Sequence, residues 1–566
     1  MYDALFVSSA LEEIAALLKL AGEGYKARAY AHGAEVVVGL SEQLGALVEA
    51  NELLEVPGIG RSLAKQIEAL SGSGRSPLLE RLRVEFPPGS AELSRVPGLT
   101  ARRIKLLREG LDVRTVDALR EACLAQRVRT LPGFGAKTEQ RLLEAIDQWR
   151  EAKAQPPRML LVDALHFARR LERQVLGQRL AANVVLAGAA RRCEEVLSEL
   201  DVVMVDARED ELFSSLARSP FVMGTTREQF SVDRVPLRVH VCLRDNFGAT
   251  LLAATGSDSH VQALAERAQQ RGLRLSAEGL FDSADRRCAA SSDEAAIYSE
   301  LGHRFVPAEL RSGAVLATST ELIEGSHLRG VVHCHTTYSD GKHSIEEMAR
   351  AAQALGFEYI TITDHSPSAH YAGGVTVDRL MQQWDEIAEV QERVAIRILR
   401  GTESDILADG SLDYPDALLE RFDVIIASIH GRMRMDKQQM TERLVRAMQV
   451  PVFKIWGHAL GRMLLHRDPI DCEVEAVLDA LASSHGAIEL NGDPHRLDLP
   501  PAWIAPARAR GIRFVLSSDA HSTAGLDATR FAVMMARRGA LAPSDVLNTL
   551  PAHAFMEQVR PAARLS

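Results

Sequence analysis

From Val331 onward, strand-like apolar runs alternate with helical patterns, and nearly every run is followed at once by a histidine or a carboxylate. The runs include Tyr359–Thr363, Ile398–Thr402, Val424–Ser428, Ala487–Leu490 and Phe514–Ser517. Such alternation predicts an α/β barrel or a doubly wound sheet. Folds of this kind place chemistry at the C-terminal ends of strands. The side chains that trail the runs are His333 and His335, Asp340, His365, Glu403, His430, His458, Asp519 and His521. His333 and His335 are two apart on a strand-like segment, which predicts that both point to one face. Six histidines, two aspartates and one glutamate are enough for three metal ions. Nitrogen and oxygen donors exclude metals that want thiolate and suit Mn²⁺, Zn²⁺ or Fe. Clustered divalent ions lower the pKa of a bridging water and clamp both oxygens of a phosphate ester, so hydrolysis of phosphate esters is the chemistry implied. Arg462 and Arg467, shortly after His458, are read as holding a substrate phosphate.

A chain of 566 residues is too long for one core and predicts three to five domains. No apolar run approaches the roughly 18 residues needed to cross a bilayer. Met1–Ala10 has no basic n-region or small-residue cleavage site, so no secretion signal and a cytoplasmic location are expected. Six scattered cysteines without a CxxC pair argue against a thiolate zinc site and fit a reducing compartment. A net charge of −10 speaks against general nucleic-acid binding. Charge is local, however: residues 91–158 hold 14 Lys plus Arg against 9 Asp plus Glu. That basic segment can face phosphates or be an ordinary solvated helical surface.

Residues 1 to about 155 read as short amphipathic helices, with Leu11, Ile14, Leu17 and Leu18 at helical spacing, and Ala152–Arg158 reads as a linker. One pattern recurs: Val56-Pro-Gly-Ile-Gly60, Val96-Pro-Gly-Leu-Thr100 and Leu131-Pro-Gly-Phe-Gly135, each opening a helix. Gly58, Gly60, Gly98, Gly133 and Gly135 permit tight turns and close backbone approach, and the helix start offers free N–H groups to an anion. The pattern resembles the helix-hairpin-helix family, which implies sequence-independent grip on DNA backbones. Thr100 replaces the second glycine in the middle copy, which is then expected to be structural only.

The segments His333-Cys-His-Thr-Thr-Tyr-Ser-Asp-Gly341, Thr363-Asp-His365, Gly401-Thr-Glu403, His430, Gly457-His458 and Ser518-Asp-Ala-His521 resemble the polymerase and histidinol phosphatase (PHP) superfamily. That resemblance implies a distorted seven-stranded barrel, a trinuclear centre of Mn²⁺ or Zn²⁺, and the nine residues above as its ligands. Upstream, Gly188-Ala-Ala-Arg-Arg192, Glu199-Leu-Asp201 and Thr255-Gly-Ser257 resemble bacterial family X DNA polymerases with a C-terminal PHP domain, and the order of segments agrees along essentially the whole chain. The implied architecture is multidomain. It comprises a helical domain with a helix-hairpin-helix at 1–85, a fingers-like helix-hairpin-helix domain at 86–155 and a nucleotidyltransferase-like α+β palm at 156–243. A thumb at 244–311, a linker at 312–330 and the phosphoesterase barrel at 331–566 complete it. The resemblance also implies that Gly188, Arg192, Thr255 and Gly256 face a nucleotide triphosphate.

The palm departs from the family pattern. Ala189 stands where the family has serine, Glu199 replaces the first catalytic aspartate, Asp201 is intact, and Pro236 occupies the third carboxylate position. Asp233 lies three residues upstream, predicted on the other strand face. Mg²⁺ or Mn²⁺ is expected to bind the palm only weakly. Gln66 stands at the lyase lysine position, with Lys65 about 100° around the helix. Four readings follow: a monomeric DNA-repair nuclease trimming 3′ ends of gapped or nicked duplex, an active gap-filling polymerase with dNTP substrate and an editing nuclease, a non-catalytic DNA-end scaffold, and a small-molecule phosphatase. The complete ligand set disfavours the scaffold, and the DNA-binding half disfavours the small-molecule enzyme.

Overall fold

A computed structural model describes residues 4–40, 44–50, 52–56, 59–86, 93, 96, 98–154, 156–219, 221–313, 321–484 and 486–561. The chain forms two compact units, Met1–Pro156 and Pro157–Ser566.

The first unit is helical. Helices Ala4–Leu20 and Gly24–Leu40 pack together, and Val7, Leu11, Ile14 and Leu18 form the buried stripe that their spacing predicts. Three turns then repeat one geometry. The N–H groups of Ile59, Leu99 and Phe134 donate to the carbonyls of Val56, Val96 and Leu131 at 3.0, 3.1 and 3.1 Å. Gly98 and Gly133 have φ of 87° and 83°; at Leu131–Phe134 this is the left-handed third position of a type II turn after Pro132. The equivalent Gly58 lies outside the described residues. Gly60 caps the helix Arg61–Ser73, and Gly135 precedes the helix Ala136–Ala154. Thr100 takes the cap of Ala101–Leu111, its hydroxyl accepting from the Arg103 N–H at 3.3 Å. The last of these helices runs into the stretch 152–158 read as a linker. Gln66 accepts from the Ser76 hydroxyl at 2.6 Å, while Lys65 is exposed.

The second unit opens with β1 (Met159–Leu160), the helix Leu161–Gly177, β2 (Asn183–Ala187), β3 (Val196–Leu197), β4 (Leu200–Val205), β5 (Ser231–Val232) and β6 (Val235–Cys242). A four-stranded sheet has the order β2-β4-β6-β5. β4 is buried throughout, and β6 alternates inside and outside, as its period of two predicts. A hairpin of β7 (Arg274–Ser276) and β8 (Gly279–Phe281) follows among short helices. Arg311, fully buried, is paired there with Glu294 at 2.5 Å, which also takes Arg191.

Seven parallel strands then close a barrel: β9 (Gly330–Cys334), β10 (Tyr359–Ile362), β11 (Arg397–Asp405), β12 (Val424–Ser428), β13 (Ile455–Trp456), β14 (Ala487–Asn491) and β15 (Arg513–Ala520). Residues 321–330, read as part of a linker, belong to it: Ile323 is buried in the barrel core and its N–H donates to the Leu541 carbonyl at 2.9 Å. Residues 314–320 lie outside the description. β9 shifts register against both of its neighbours, β10 and β15, so its seam with β15 is irregular. Buried Asn548 spans it, donating to the carbonyls of Gly330 and Leu516 at 2.9 Å each and accepting from the Leu516 N–H at 3.0 Å. Asn548→Ala removes three buried hydrogen bonds, and a loss of about 2–4 kcal/mol is expected from a urea melt of the full chain. A midpoint equal to that of the parent would mean that the strands alone hold the seam.

Candidate metal centre

The barrel strands deliver the trailing residues to one end. His335, His365, His430, His458 and His521 each lie just past a strand, Glu403 and Asp519 sit near strand ends, and His333 lies within β9. Three groups bring one donor atom per residue within 4.8 Å of each other: His335, Asp340, His365 and His521; His333, His335 and Asp519; and His365, Glu403 and His430. His458 joins through Nε2, 2.8 Å from Glu403 Oε1. All nine residues predicted as ligands therefore converge.

The way β9 presents its two histidines differs from the expectation. Simple alternation does not place them on one face, because the strand is bulged and His333 has a left-handed φ of 65°. Their rings nonetheless lie 5.2 Å apart, both fully buried. His458 and Asp519 also have positive φ, 24° and 50°. Backbone held in such sparsely populated regions costs about 1–3 kcal/mol per residue and collects at functional sites.

Glu403 is the hub. Besides His458, its Oε2 lies 2.8 Å from His365 Nδ1, 3.5 Å from His333 Nε2 and 3.6 Å from His335 Nε2, and its Oε1 is 3.3 Å from His430 Nε2. Several of these atoms have no hydrogen-bond partner among the described residues: His333 Nε2, both nitrogens of His335, His365 Nδ1, His458 Nδ1 and Glu403 Oε2. Buried polar atoms are otherwise nearly always bonded. Convergent lone pairs from imidazoles and carboxylates, left unpaired in a buried site, fit divalent cations.

A second ring of residues, not singled out from sequence, orients the first. Glu489 Oε1 takes His333 Nδ1 at 2.5 Å, and its other oxygen accepts the His458 N–H. Asp405 takes His430 Nδ1 at 2.5 Å, and Asn491 donates to Asp519 at 3.1 Å. Asp364 accepts from Thr336 Oγ1, Ser339 Oγ and Gln383 at 2.7, 2.5 and 2.6 Å, fixing the loop that carries Asp340. Arg496 stands beside the cluster, 3.8 Å from Asp519 Oδ2, and exposed Tyr371 faces the rings of His365 and His430 at 6.0 Å. Asp364 and Asp405 carried a sequence signal, the first inside the Thr363-Asp-His365 segment and the second two residues beyond Glu403 on the same strand.

Burial, reinforced by His521 and His365, pushes His335 down to about 3. Burial also opposes a proton on His430, but Glu403 and Asp405 outweigh it and raise that ring to about 10. His521 is raised in the same way to about 9, against its burial, by Asp340 and Asp519. Both raised histidines favour the metal-free fold fully below their ordinary 6.5, and that stabilisation is lost as pH rises through 9 to 10. Ligation needs their lone pairs, so metal uptake must expel their protons. Mn²⁺ affinity is therefore expected to rise with pH up to about 9–10. Titration calorimetry at neutral pH in buffers of different ionisation heat should count roughly two protons released per chain. Uptake with no proton release would contradict this charge state.

Two arginines read as phosphate ligands are already engaged. Arg192 bonds Glu194 at 2.6 Å and the Thr255 carbonyl at 2.6 Å, so its guanidinium bridges the palm and the thumb. Arg462 is buried and bonds Glu195 at 2.9 Å and the Leu497 carbonyl. Arg467 is exposed. In the palm, Gly188 (φ 62°) is required, since a Cβ there would lie 2.4 Å from Asp201 Oδ2. β6 presents Pro236, Arg238 and His240 on one side. Arg238 pairs with Glu199 at 2.6 Å, and His240 Nε2 lies 2.8 Å from Asp201 Oδ1. Both remaining palm carboxylates thus face a basic side chain of the neighbouring strand. Asp233 is not on the opposite strand face, as expected, but in the two-residue β5–β6 turn, with Arg234; φ is 48° and 70°, the conformation of a type I′ hairpin.

Family models match this chain in four places: a helix-hairpin-helix domain at residues 6–76, a SAM-like helix-hairpin-helix tandem at 90–148, a DNA polymerase beta thumb at 250–312 and a PHP domain at 332–492. The chain is 32% identical over 552 residues, 95% of its length, to "DNA polymerase/3′-5′ exonuclease PolX" of Bacillus subtilis, of which it covers 96%. Over 201 residues, 33% of its length, it is 30% identical to "Probable phosphatase TTE1963" of Caldanaerobacter subterraneus, covering 74% of that protein. Near full-length similarity to the first, together with the thumb, hairpin and PHP matches and the closed seven-stranded barrel, means that the chain belongs to the family X DNA polymerases that carry a PHP domain.

Proposed function

We propose that this protein is a DNA-repair nuclease of the 3′-5′ exonuclease class, in which the PHP centre hydrolyses the terminal phosphodiester and the polymerase palm makes little or no DNA. The observation that carries this reading is the convergence of nine residues with nitrogen and oxygen donors, most of them buried, of which His333, His335, His365, His458 and Glu403 have donor atoms without a hydrogen-bond partner among the described residues. His333, His335, Asp340, His365, Glu403, His430, His458, Asp519 and His521 would hold the ions, for which Mn²⁺ or Zn²⁺ suits the donor set best. Divalent ions bound there polarise a phosphate ester and bring a water to its nucleophilic form near neutral pH. Glu489 and Asp405 fix the ring orientation of His333 and His430. Arg496, half-buried with its Nε 3.6 Å from Asp493 and 3.8 Å from Asp519 but without a hydrogen-bond partner among the described residues, is placed to take a phosphate oxygen.

The proposed substrate is DNA, bound without sequence preference. A Cβ at Gly60, Gly133 or Gly135 would meet nothing within 4 Å. Packing therefore does not exclude side chains there, and what their absence leaves is open backbone N–H at a helix start, the surface a phosphate needs. Against polymerase activity stand Pro236, which has no coordinating atom, and the pairing of Glu199 and Asp201 with Arg238 and His240. Two metal ions at a primer terminus need three carboxylates free to bind them, and a misplacement on the order of 1 Å costs roughly 10²-fold.

Digestion of a 3′-labelled duplex and primer extension, each with Mn²⁺ and with Mg²⁺, test both halves. The double variant His333→Ala, His335→Ala is expected to lose 3′ digestion and keep DNA binding; normal digestion by it would move the active site elsewhere. The unmodified protein is expected to extend primers weakly or not at all. Robust Mg²⁺-dependent extension would favour the gap-filling polymerase instead. Extension gained only on Pro236→Asp with Glu199→Asp would show that the palm lacks nothing but carboxylates.

A further inference from the structure

A cavity of about 400 Å³ lies between the palm and the barrel loop that follows His458. Arg158 and Val196 line it from the palm, and Arg462, Leu465, His466 and Arg467 from the barrel. Three arginines stand there against one carboxylate, Asp468. The barrel loop is a tight hairpin: Met463 and Arg467 exchange backbone hydrogen bonds at 2.9 and 2.8 Å. Leu464 anchors it in the palm core, while Leu465 at the tip is 41% exposed with a φ of 63°. A bulky side chain held left-handed and pointed at water is costly on both counts.

Arg462 and Arg467 line the cavity with hydrogen-bonding capacity to spare. Arg462 is 9% exposed and its Nε has no partner among the described residues, while its other end is held by Glu195. Arg467 is exposed and donates through Nε to the Gly461 carbonyl at 2.9 Å. The cavity lies on the loop that follows His458, and Arg467 interacts electrostatically with Arg496, whose Nε stands 3.8 Å from Asp519 Oδ2. Fixed cations beside an apolar tip are what a nucleic-acid strand needs, phosphates on the arginines and a base edge on the leucine.

We propose that this palm–barrel cavity holds the phosphodiester backbone of the DNA strand whose 3′ end enters the metal centre, so that the palm serves as a wall of the nuclease's substrate path. This rests on the nuclease reading above. Arg158 and Arg467 grip the strand; Arg462, tied to Glu195, sets the floor of the cavity; Leu465 meets the terminal base.

The test uses the full chain with Arg158→Glu and Arg467→Glu, singly and together, both sites being at the surface. Binding of a fluorescent single-stranded oligonucleotide is measured in EDTA, where no hydrolysis occurs. Each substitution is expected to weaken binding roughly 10-fold, and the slope of log affinity against log salt should fall by about 0.7 per charge removed. The KM for 3′ digestion with Mn²⁺ should rise by a similar factor. Arg397→Glu, exposed at the start of β11 and so at the end of the barrel away from the metal centre, controls for net charge and is expected to change none of these. Binding and digestion equal to the parent in the double variant would overturn the cavity and leave the nuclease reading standing. Weakened binding in a protein that digests nothing with any metal would overturn the nuclease reading and leave the cavity standing. Inorganic phosphate that erases the difference between parent and double variant at millimolar concentration would assign the cavity to free phosphate and overturn the strand proposal.

Discussion

The second unit is organised around one buried carboxylate. Glu403 is 1% exposed and five imidazoles lie within 3.6 Å of its two oxygens. A lone carboxylate cannot be taken out of water without a cost of several kcal/mol, and histidines repay it only if they are protonated or share cations with it. Burial drives His335 the other way, to the neutral form. The metal-free cluster therefore holds protons on some rings and bare lone pairs on others, a compromise that divalent cations resolve. Any ion that binds this arrangement and not the unfolded chain adds directly to the stability of the barrel. Site and fold are in this sense one thermodynamic object: the closed barrel exists to bring seven strand ends together, and what sits at those ends determines how stable it is.

That dependence explains the irregular backbone. His333, His458 and Asp519 adopt positive φ although none is glycine, and the β15–β9 seam shifts register where two of them lie. Regular strands would turn alternate side chains away from the axis. The bulges re-aim them, and Glu489, Asp405, Asp364 and Asn491 hold the result by hydrogen bonds. Asn548 then closes the seam from outside the cluster, where the strands cannot pair evenly.

The convergence of these residues was legible in the sequence because histidines and carboxylates that follow apolar runs violate the pattern of a core, and such violations stand out one at a time. The same logic failed for the second ring. Glu489 lies inside a fully buried strand, and nothing local distinguishes a carboxylate that orients a histidine from one that binds a metal. For His333 and His335 the conclusion was right and the reason was wrong: a bulge, not alternation, brings the rings together. Arg192 and Arg462 were read as phosphate ligands from their neighbours in sequence, but their partners Thr255, Leu497 and Glu195 are set by tertiary packing. Pro236 was legible as a missing ligand. The pairing of Glu199 with Arg238 was not, because it depends on how β4 lies against β6, two parallel strands joined by a long crossover. The helix-hairpin-helix turns were legible because a type II turn after proline needs glycine whatever surrounds it, whereas Gly58 lies outside the described residues.

A palm whose carboxylates are matched by basic residues still has a structural reason to be present. Leu464, Leu497, Phe531 and Met535 of the barrel belong to the same buried cluster as Leu171, Val202 and Leu216 of the palm. Glu195 of the palm receives both Arg462 and Arg538 of the barrel at 2.9 Å, and Glu309 receives Arg537 at 2.6 Å. Removing the palm would expose that apolar surface and leave buried Arg462 without its carboxylate, only four residues from His458 of the candidate centre. The chemistry of the palm and its fold are thus separable. Losing a coordinating atom at position 236 costs no core contact, since that side chain points to solvent, whereas losing the sheet would disturb the loop on which the metal centre is built.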